Sequence, residues 1–368
     1  GSGGVFSTTS GTSWGPKISE LPNDATYGGN TDNEYTQKFG KQQGKYYVPQ
    51  RAAAGLDPWA TPQAYDNAKD FFDTGITWSN SLNVAQMLDK SSYSISLGNT
   101  HQDGIISSTG MDRYNVKVSA DTKLTNNWSS GFTANYITTS IDKAVTSGNG
   151  LLRTVYAAPP SYDLAGIPSH VDGNPYTQNS FRGSFDNAYW AMENNKFTED
   201  TNRFFGNVYA SYQTDFGTTN HKLNAKYMVG VDAYTTHYVD SYGYGSNTGG
   251  GRGQIENYGW TNATYNSLLT INYDWHINED WGLNAVVGNE IIQSNRKKYY
   301  EYGTNYNFPG WNHINNATTQ QTEEETWKNR TVGFFGNVSA SYRNMLYLTL
   351  TGRQDYVSNM PRNNRSFC

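Results

Sequence analysis

Apolar and polar side chains alternate along residues 113–141, and only the short polar turn Thr125–Asn127 interrupts the alternation. Before the turn, Tyr114, Val116 and Val118 alternate with polar residues, and the same period of two continues after it. Because successive side chains of a strand point to opposite faces, this pattern predicts a hairpin of two-faced strands. Each strand has about a dozen residues, roughly twice the usual length in soluble domains and enough to cross a bilayer obliquely.

The same alternation recurs along the chain and predicts about ten strands in five antiparallel hairpins. In the later hairpins, tryptophans flank a turn, as in the aromatic girdles of outer-membrane barrels. The further predicted pairs are Thr77–Leu88 with Ser91–Thr100, Arg203–Phe216 with Lys222–Tyr234, Ala263–Trp275 with Trp281–Gln293, and Arg330–Tyr342 with Leu346–Tyr356.

Connector length alternates as well. Connectors within hairpins are short, whereas Asp142–Asn202, Thr235–Asn262 and Ser294–Asn329 between hairpins are long. In an up-and-down sheet alternate connectors lie at opposite ends, so short turns fall on one rim and long loops on the other. Outer-membrane barrels have this asymmetry, and soluble sandwiches usually do not. The sequence therefore predicts an all-β, antiparallel, up-and-down transmembrane β-barrel.

The first part of the chain lacks this alternation. Residues 1–76 are predicted to form an irregular N-terminal segment, with one or two helical turns within Thr61–Phe72. Residues 77–366 are predicted to form one partial domain of barrel strands and external loops.

Composition agrees with a barrel and argues against several other classes of protein. Hydrophobic residues make up 36% of the 368 residues, but aromatic residues reach 15%, which argues against disorder. A mean hydropathy of -0.75 fits aromatic girdles around a polar lumen, although a soluble tyrosine-rich β protein has the same composition. The net charge of -5 provides no basic field for nucleic acid. The only cysteine is the last residue, Cys368, so no intrachain disulfide is predicted.

No motif in the sequence predicts catalysis, a cofactor or a metal site. The six histidines have no spacing typical of metal ligands. The glycine-rich stretch Gly245–Gln254 lacks the lysine of a phosphate-binding loop and is predicted to be a flexible connector. Glu323, Glu324 and Glu325 lie together in a predicted connector, but a local run of carboxylates does not indicate an acid and base pair. We therefore expect a protein that is not an enzyme.

Aromatic residues in the long connectors are candidates for ligand binding. They lie beside asparagine, glycine and aspartate, a mixture that stacks on sugar rings or packs on peptide while amide groups hydrogen-bond the ligand. Packing within the loops is the alternative explanation. The candidates are Tyr189, Trp190, Trp260, Tyr306, Phe308 and Trp311.

Three segments resemble the barrel of the SusC/RagA family of TonB-dependent outer-membrane transporters. They are Phe71–Tyr136, with FFDTGITWSN, YSISLGNTHQDGII and MDRYNVKVSADTKL, then Asp186–Val208 and Val332–Arg365. Within residues 10–366 these strand and loop signatures follow the order expected of the family. The resemblance implies that the chain supplies about ten strands of a 22-stranded barrel. It also implies that a plug domain and closing strands lie outside the matched segment.

The resemblance further implies import across a bacterial outer membrane, with oligosaccharides or peptides as cargo. The expected partners are a SusD-like surface lipoprotein, the TonB complex, which acts through the plug segment, and the lipid bilayer. Alternatives within transport are a passive porin and a siderophore receptor. Outside transport, a ten-stranded outer-membrane hydrolase and a secreted glycan-binding β protein remain open.

Overall fold

A computed structural model describes residues 17–145, 151–181, 183, 185–217, 220–361 and 365–367. Antiparallel strands dominate it. In chain order the strands are β1 (Tyr46–Tyr47), β2 (Trp59–Ala60), β3 (Thr77–Met87), β4 (Ser91–Asp103), β5 (Gly110–Lys123), β6 (Trp128–Lys143), β7 (His170–Val171), β8 (Asn174–Gln178), β9 (Lys196–Phe216), β10 (His221–Tyr242), β11 (Gln254–His276), β12 (Trp281–Tyr306), β13 (Ala317–Tyr342), β14 (Leu346–Val357) and β15 (Ser366–Phe367).

The described helices are short. They are the α-helices α1 (Glu34–Phe39), α2 (Pro49–Ala53), α3 (Asn67–Phe71), α4 (Leu151–Ala157) and α5 (Ala188–Asn194), with 3-10 turns at Ile18–Asn23 and Ile314–Asn316. Among the described residues no helix has the length and apolar character needed to cross a membrane.

One large sheet contains all the long strands. Its order is β3-β4-β5-β6-β9-β10-β11-β12-β13-β14-β15, so strands that follow one another in the chain are hydrogen-bonded neighbours apart from the β7–β8 insertion. The sheet does not close on itself within the described residues, and β3 and β15 form its edges. This arrangement confirms the predicted up-and-down barrel wall of about ten strands.

Loop lengths divide between the two ends of the sheet as predicted. The described turns at 88–90, 124–127, 277–280 and 343–345 are short and lie at one rim. The other rim carries the connectors 243–253 and 307–316 and the ends of the long connector between β6 and β9. The turn at Gly217–Asn220 contains residues 218 and 219, which lie outside the described residues.

Several predicted strand ends are wrong. The predicted connectors Thr235–Asn262 and Ser294–Asn329 are largely strand, because β10, β11, β12 and β13 continue far past the apolar alternation. β12 and β13 have 26 residues each, more than twice the roughly ten needed to cross a bilayer. Above the membrane both faces of a strand contact water, so apolar alternation no longer marks where the strand ends.

The two faces of the sheet differ in chemistry. Cross-strand partners place apolar side chains on one face in a continuous band, for example Ile95 opposite Val118 and Ile271 opposite Val287. These side chains are exposed; Val287 is 55% accessible. The other face carries serine, asparagine, threonine and charged residues at the intervening positions. A contiguous apolar band of this extent is unfavourable in water but matches the lipid-facing surface of a membrane barrel.

The buried core lies at the long-loop rim. Trp190 and Ala188 of α5 are fully buried there and pack with the N-terminal residues Leu21, Tyr46 and Phe71. The helical turn predicted within Thr61–Phe72 corresponds to α3. The division of the chain at residue 76 stays a prediction.

Lysine substitutions on the two faces of β12 test which face contacts lipid. We expect Val287→Lys to destabilise the protein in a bilayer by about 2–4 kcal/mol, because it places a charge at mid-height on the lipid face. Val286→Lys, one residue earlier and on the lumen face, is the matched control and should cost much less. Urea unfolding in lipid vesicles measures both, and equal destabilisation would contradict the assigned faces.

Candidate ligand-binding wall

An aromatic wall lines the inner face of the sheet above the apolar band. Tyr238 of β10 pairs with Tyr258 of β11, and Tyr258 pairs with Tyr300 of β12. Tyr238 is six residues from Asp232 on β10, and Tyr258 is eight residues from Asn266 on β11, so each lies on the same face as these polar residues. Tyr300 is the cross-strand partner of Tyr258 and shares that face. Their side chains therefore face the lumen side of the sheet.

The rings of this wall contact each other directly. Tyr238 and Tyr258 stack with centroids 4.8 Å apart and planes 5° from parallel. Trp260 meets both edge-on, at 5.7 Å and 6.1 Å. Tyr300 extends the group, 6.4 Å from Tyr258. Stacked and edge-on pairs are the favoured geometries of aromatic rings, so the wall is a defined surface that spans three strands.

Two cations lie on the faces of these rings. The Arg296 guanidinium lies 5.4 Å from the Trp260 ring and 5.4 Å from the Trp327 ring. Lys143 Nζ lies 4.8 Å above the Tyr238 ring and 3.3 Å from Glu199 Oε2. Cation–π contact holds long basic side chains against the wall. The wall thus combines flat apolar surface with charged hydrogen-bond donors.

Carboxylates border the wall on the side of the long loops. Asp240 and Glu256 are directly opposite each other on β10 and β11, and the Tyr258 hydroxyl donates to Asp240 Oδ2 at 3.1 Å. Burial, followed by the charge of Asp240, raises the pKa of Glu256. Burial and the same carboxylate raise the pKa of Tyr258. This edge of the wall therefore favours a proton or a cationic group.

Nearer the short turns, the lumen face is a network of polar pairs. Arg203 forms a bidentate ion pair with Asp232, with nitrogen to oxygen distances of 2.9 Å and 2.6 Å. The Tyr209 hydroxyl donates to Asp121 Oδ1 at 2.6 Å. A shallow cavity of about 580 Å³ lies on this face and includes Asp232 and Asn266 in its lining. Such a hydrated polar surface suits a lumen rather than a packed core.

The structure buries two of the aromatic residues predicted to bind ligand and partly buries a third. Trp190 is fully buried, and its Nε1 donates to the Pro175 carbonyl oxygen at 2.9 Å. Tyr306 is fully buried beside Ile255 and Ala317. Tyr189 is half-buried, with its ring edge-on to another ring of the core. Protein atoms occupy most of these ring surfaces, and a ligand-binding role for these residues stays a prediction.

The other three candidates are accessible in part. Trp260 belongs to β11 rather than to a loop and forms part of the wall. Phe308 and Trp311 lie in the 307–316 connector, where they are 51% and 44% exposed. Their rings stack 5.8 Å apart, and His313 stacks on Trp311 at 4.9 Å. The structure therefore separates the candidates into a buried loop core, a lumen wall and an exposed ring stack at the rim.

Most residues of the wall were not predicted from the sequence. Tyr238, Tyr258, Tyr300 and Arg296 all lie within stretches predicted to be connectors. Their spacing carried a signal, because Tyr258 and Trp260 are two residues apart and share the parity of the polar positions Thr270 and Asn272 in the strand that follows. Only the register of β10, β11 and β12 brings the three strands' rings together.

Because the pKa of Glu256 is raised, we expect the stability of the long-loop rim to depend on pH. A raised carboxyl pKa contributes stability that is complete below the ordinary value of 4.5 and is lost as pH rises through the raised value. Amide hydrogen exchange at 240–256, corrected for intrinsic rates, should therefore be slower at pH 4.5 than at pH 7.5. The Glu256→Gln variant should lose this difference, and a difference that persists in it would contradict the assignment to this carboxyl.

Comparisons with known proteins address the class of the chain. No protein-family model matches it. It is similar to TonB-dependent receptor P3 of Formosa agariphila, with 23% identity over 320 residues that cover 83% of the chain and 30% of the relative. TonB-dependent receptor P26 of the same organism is 24% identical over 325 residues, covering 80% and 30%. The chain thus spans about a third of the length of these curated relatives.

Solved structures share the fold. A structure of the RagAB peptide transporter matches with a TM-score of 0.66 at 17% identity, covering 83% of the chain and 34% of that chain. The RagAB peptide importer in a closed-closed state matches with the same TM-score at 18% identity and with the same coverage. At these identities the match establishes the fold of the barrel wall.

Proposed function

We propose that the chain is a barrel segment of a SusC/RagA-type TonB-dependent receptor and forms part of an importer for oligosaccharides or peptides, a proposal that its similarity to named TonB-dependent receptors and its barrel-wall fold support. Receptors of this class are outer-membrane proteins, so the apolar band would contact outer-membrane lipid. The similar proteins carry the names of receptors and transporters, which supports a role without covalent chemistry.

The observation that carries this proposal is the difference between the two faces of one continuous sheet. An exposed apolar band on one face requires lipid, and the hydrogen-bonding face behind it requires water. A channel wall satisfies both requirements. The aromatic wall continues the polar face upward, toward the rim from which an external solute would enter.

The chemistry of the wall supports both proposed cargoes. Stacked tyrosines with neighbouring hydroxyl, carboxylate and guanidinium groups can bind sugar rings and their hydroxyls. The same groups can bind the side chains and backbone of a peptide, and RagAB is described as a peptide transporter. Measured uptake of labelled peptides and labelled oligosaccharides by the full-length protein distinguishes the two cargoes.

We place the partners of the importer at opposite ends of the sheet. A SusD-like lipoprotein would cover the long-loop rim, where the exposed stack of Phe308, Trp311 and His313 offers a contact surface. The TonB complex would act from the short-turn side through a plug segment. Loss of lipoprotein co-purification in a Phe308→Ala, Trp311→Ala double variant would support the first placement.

Uptake by cells tests the role of the wall. We expect Tyr258→Ala with Trp260→Ala to reduce uptake about tenfold at limiting cargo, because two stacking surfaces of about 0.5–1.5 kcal/mol each are lost. Tyr299→Ala removes a ring from the opposite face of β12 and is the matched control. Unchanged uptake in the wall variant, at equal surface abundance, would contradict a role in cargo binding.

The same assay separates the alternative functions. Uptake that persists without TonB would indicate a passive porin, and uptake restricted to chelated iron would indicate a siderophore receptor. Cleavage of cargo by the purified protein would indicate a hydrolase. Recovery of the protein in solution without detergent would favour a secreted glycan-binding protein.

A further inference from the structure

The lipid-facing side of the sheet carries a local group of cations above the apolar band. On β13 the outward positions run from Tyr342 through Val338 and Phe334 to Arg330 and then Lys328. A hydrogen bond shows that Arg330 lies on the outward face. Its guanidinium donates to the Gln293 side chain, which shares the outward face of β12 with Val287. Lys328 is one outward position further from the membrane.

The height of these cations matches the boundary between hydrocarbon and headgroups. Arg330 is about 12 residues above the short-turn end of β13, which is about 40 Å along the strand at 3.3 Å per residue. With the tilt of about 45° that is usual for barrel strands, this is roughly 28 Å of vertical height. The hydrocarbon core of a bilayer is about 30 Å thick. Both side chains therefore lie where lipid headgroups begin on the long-loop side.

Among the described strands, positive charge without a carboxylate partner lies in one part of the outward face at this height, since His101 of β4 is paired with Asp112 at 2.7 Å. Elsewhere the outward face carries carboxylates near this height: Asp112 lies about 11 residues from the short-turn end of β5, and Asp200 lies about 16 residues from that of β9. On β12 and β13, Lys297 forms an ion pair with Glu324 at 2.8 Å, which compensates its charge. Within the described residues, Arg330 and Lys328 have no such carboxylate partner. The pair is therefore a cationic patch with apolar surface directly below it.

We propose that Lys328 and Arg330 bind the phosphate groups of a phosphorylated glycolipid in the outer leaflet, with its acyl chains on the apolar band of β12–β14. The guanidinium of Arg330 is oriented by Gln293 and retains donors for a phosphate oxygen. Lys328 adds a mobile point charge beside it, and the exposed Leu348 and Leu350 of β14 offer contact for acyl chains. This assignment rests on the proposed placement in an outer membrane and is independent of the cargo.

Native mass spectrometry of the full-length protein in mild detergent tests the site, with diphosphorylated lipid A as the probe. We expect Lys328→Gln with Arg330→Gln to reduce the bound lipid about 25-fold, because each cation near a charged lipid surface changes binding about fivefold. Lys226→Gln with Lys298→Gln removes two charges from the lumen face and should leave lipid binding unchanged. A dephosphorylated form of the same lipid should bind the original protein as weakly as the phosphorylated form binds the variant.

Three results would overturn the proposal: equal retention by the original protein and the Lys328, Arg330 variant, equal binding of the dephosphorylated lipid, and complete displacement by millimolar inorganic phosphate. The last result would indicate a site for the free ion. Heat-modifiable migration on gels verifies that each variant is folded. Cargo uptake by the same variant is measured separately. The lipid-binding assay involves no transport and the uptake assay involves no added lipid, so the lipid site and the proposed importer function can fail independently.

Discussion

In the hydrocarbon of a bilayer, every backbone N–H and C=O group must find a partner within the protein. The antiparallel ladder from β3 to β14 meets this requirement, because each inner strand is paired on both sides along its apolar stretch. The chemistry of both faces follows from it. Once the backbone is satisfied within the sheet, side chains alone decide which face contacts lipid and which contacts water.

The ladder continues beyond the bilayer, and that continuation creates the candidate site. β10 to β13 rise well above the apolar band, and β10, β11 and β12 carry Tyr238, Tyr258, Trp260 and Tyr300 on their inner side. A sheet holds such rings at a fixed spacing, whereas a flexible loop would have to order them upon binding. The long connectors then pack around the rim instead of forming the wall.

Hydrogen bonds and glycine hold the connectors at the rim. Asp186 accepts from the Ser246 hydroxyl and from the backbone and side chain of Asn247, so it ties the glycine-rich connector to the segment before α5. Gly245 has a positive φ of 103°, and a side chain there would collide with the Tyr176 carbonyl oxygen. The stretch Gly245–Gln254, predicted to be a flexible connector, is therefore anchored at one end.

The sequence by itself determined the strand count within the membrane, the inward and outward faces and the rim on which the short turns lie. Those features depend on local alternation, and lipid on one side with water on the other makes that alternation strict. Tertiary structure decided where β10 to β13 end, because strands surrounded by water on both faces keep no apolar period. It also decided that Trp190 and Tyr306 are buried while Phe308 and Trp311 remain exposed. The ring wall, likewise, exists only through the register of three strands. Its paired tyrosines are 20 and 42 positions apart in the chain, so no single segment encodes their contact.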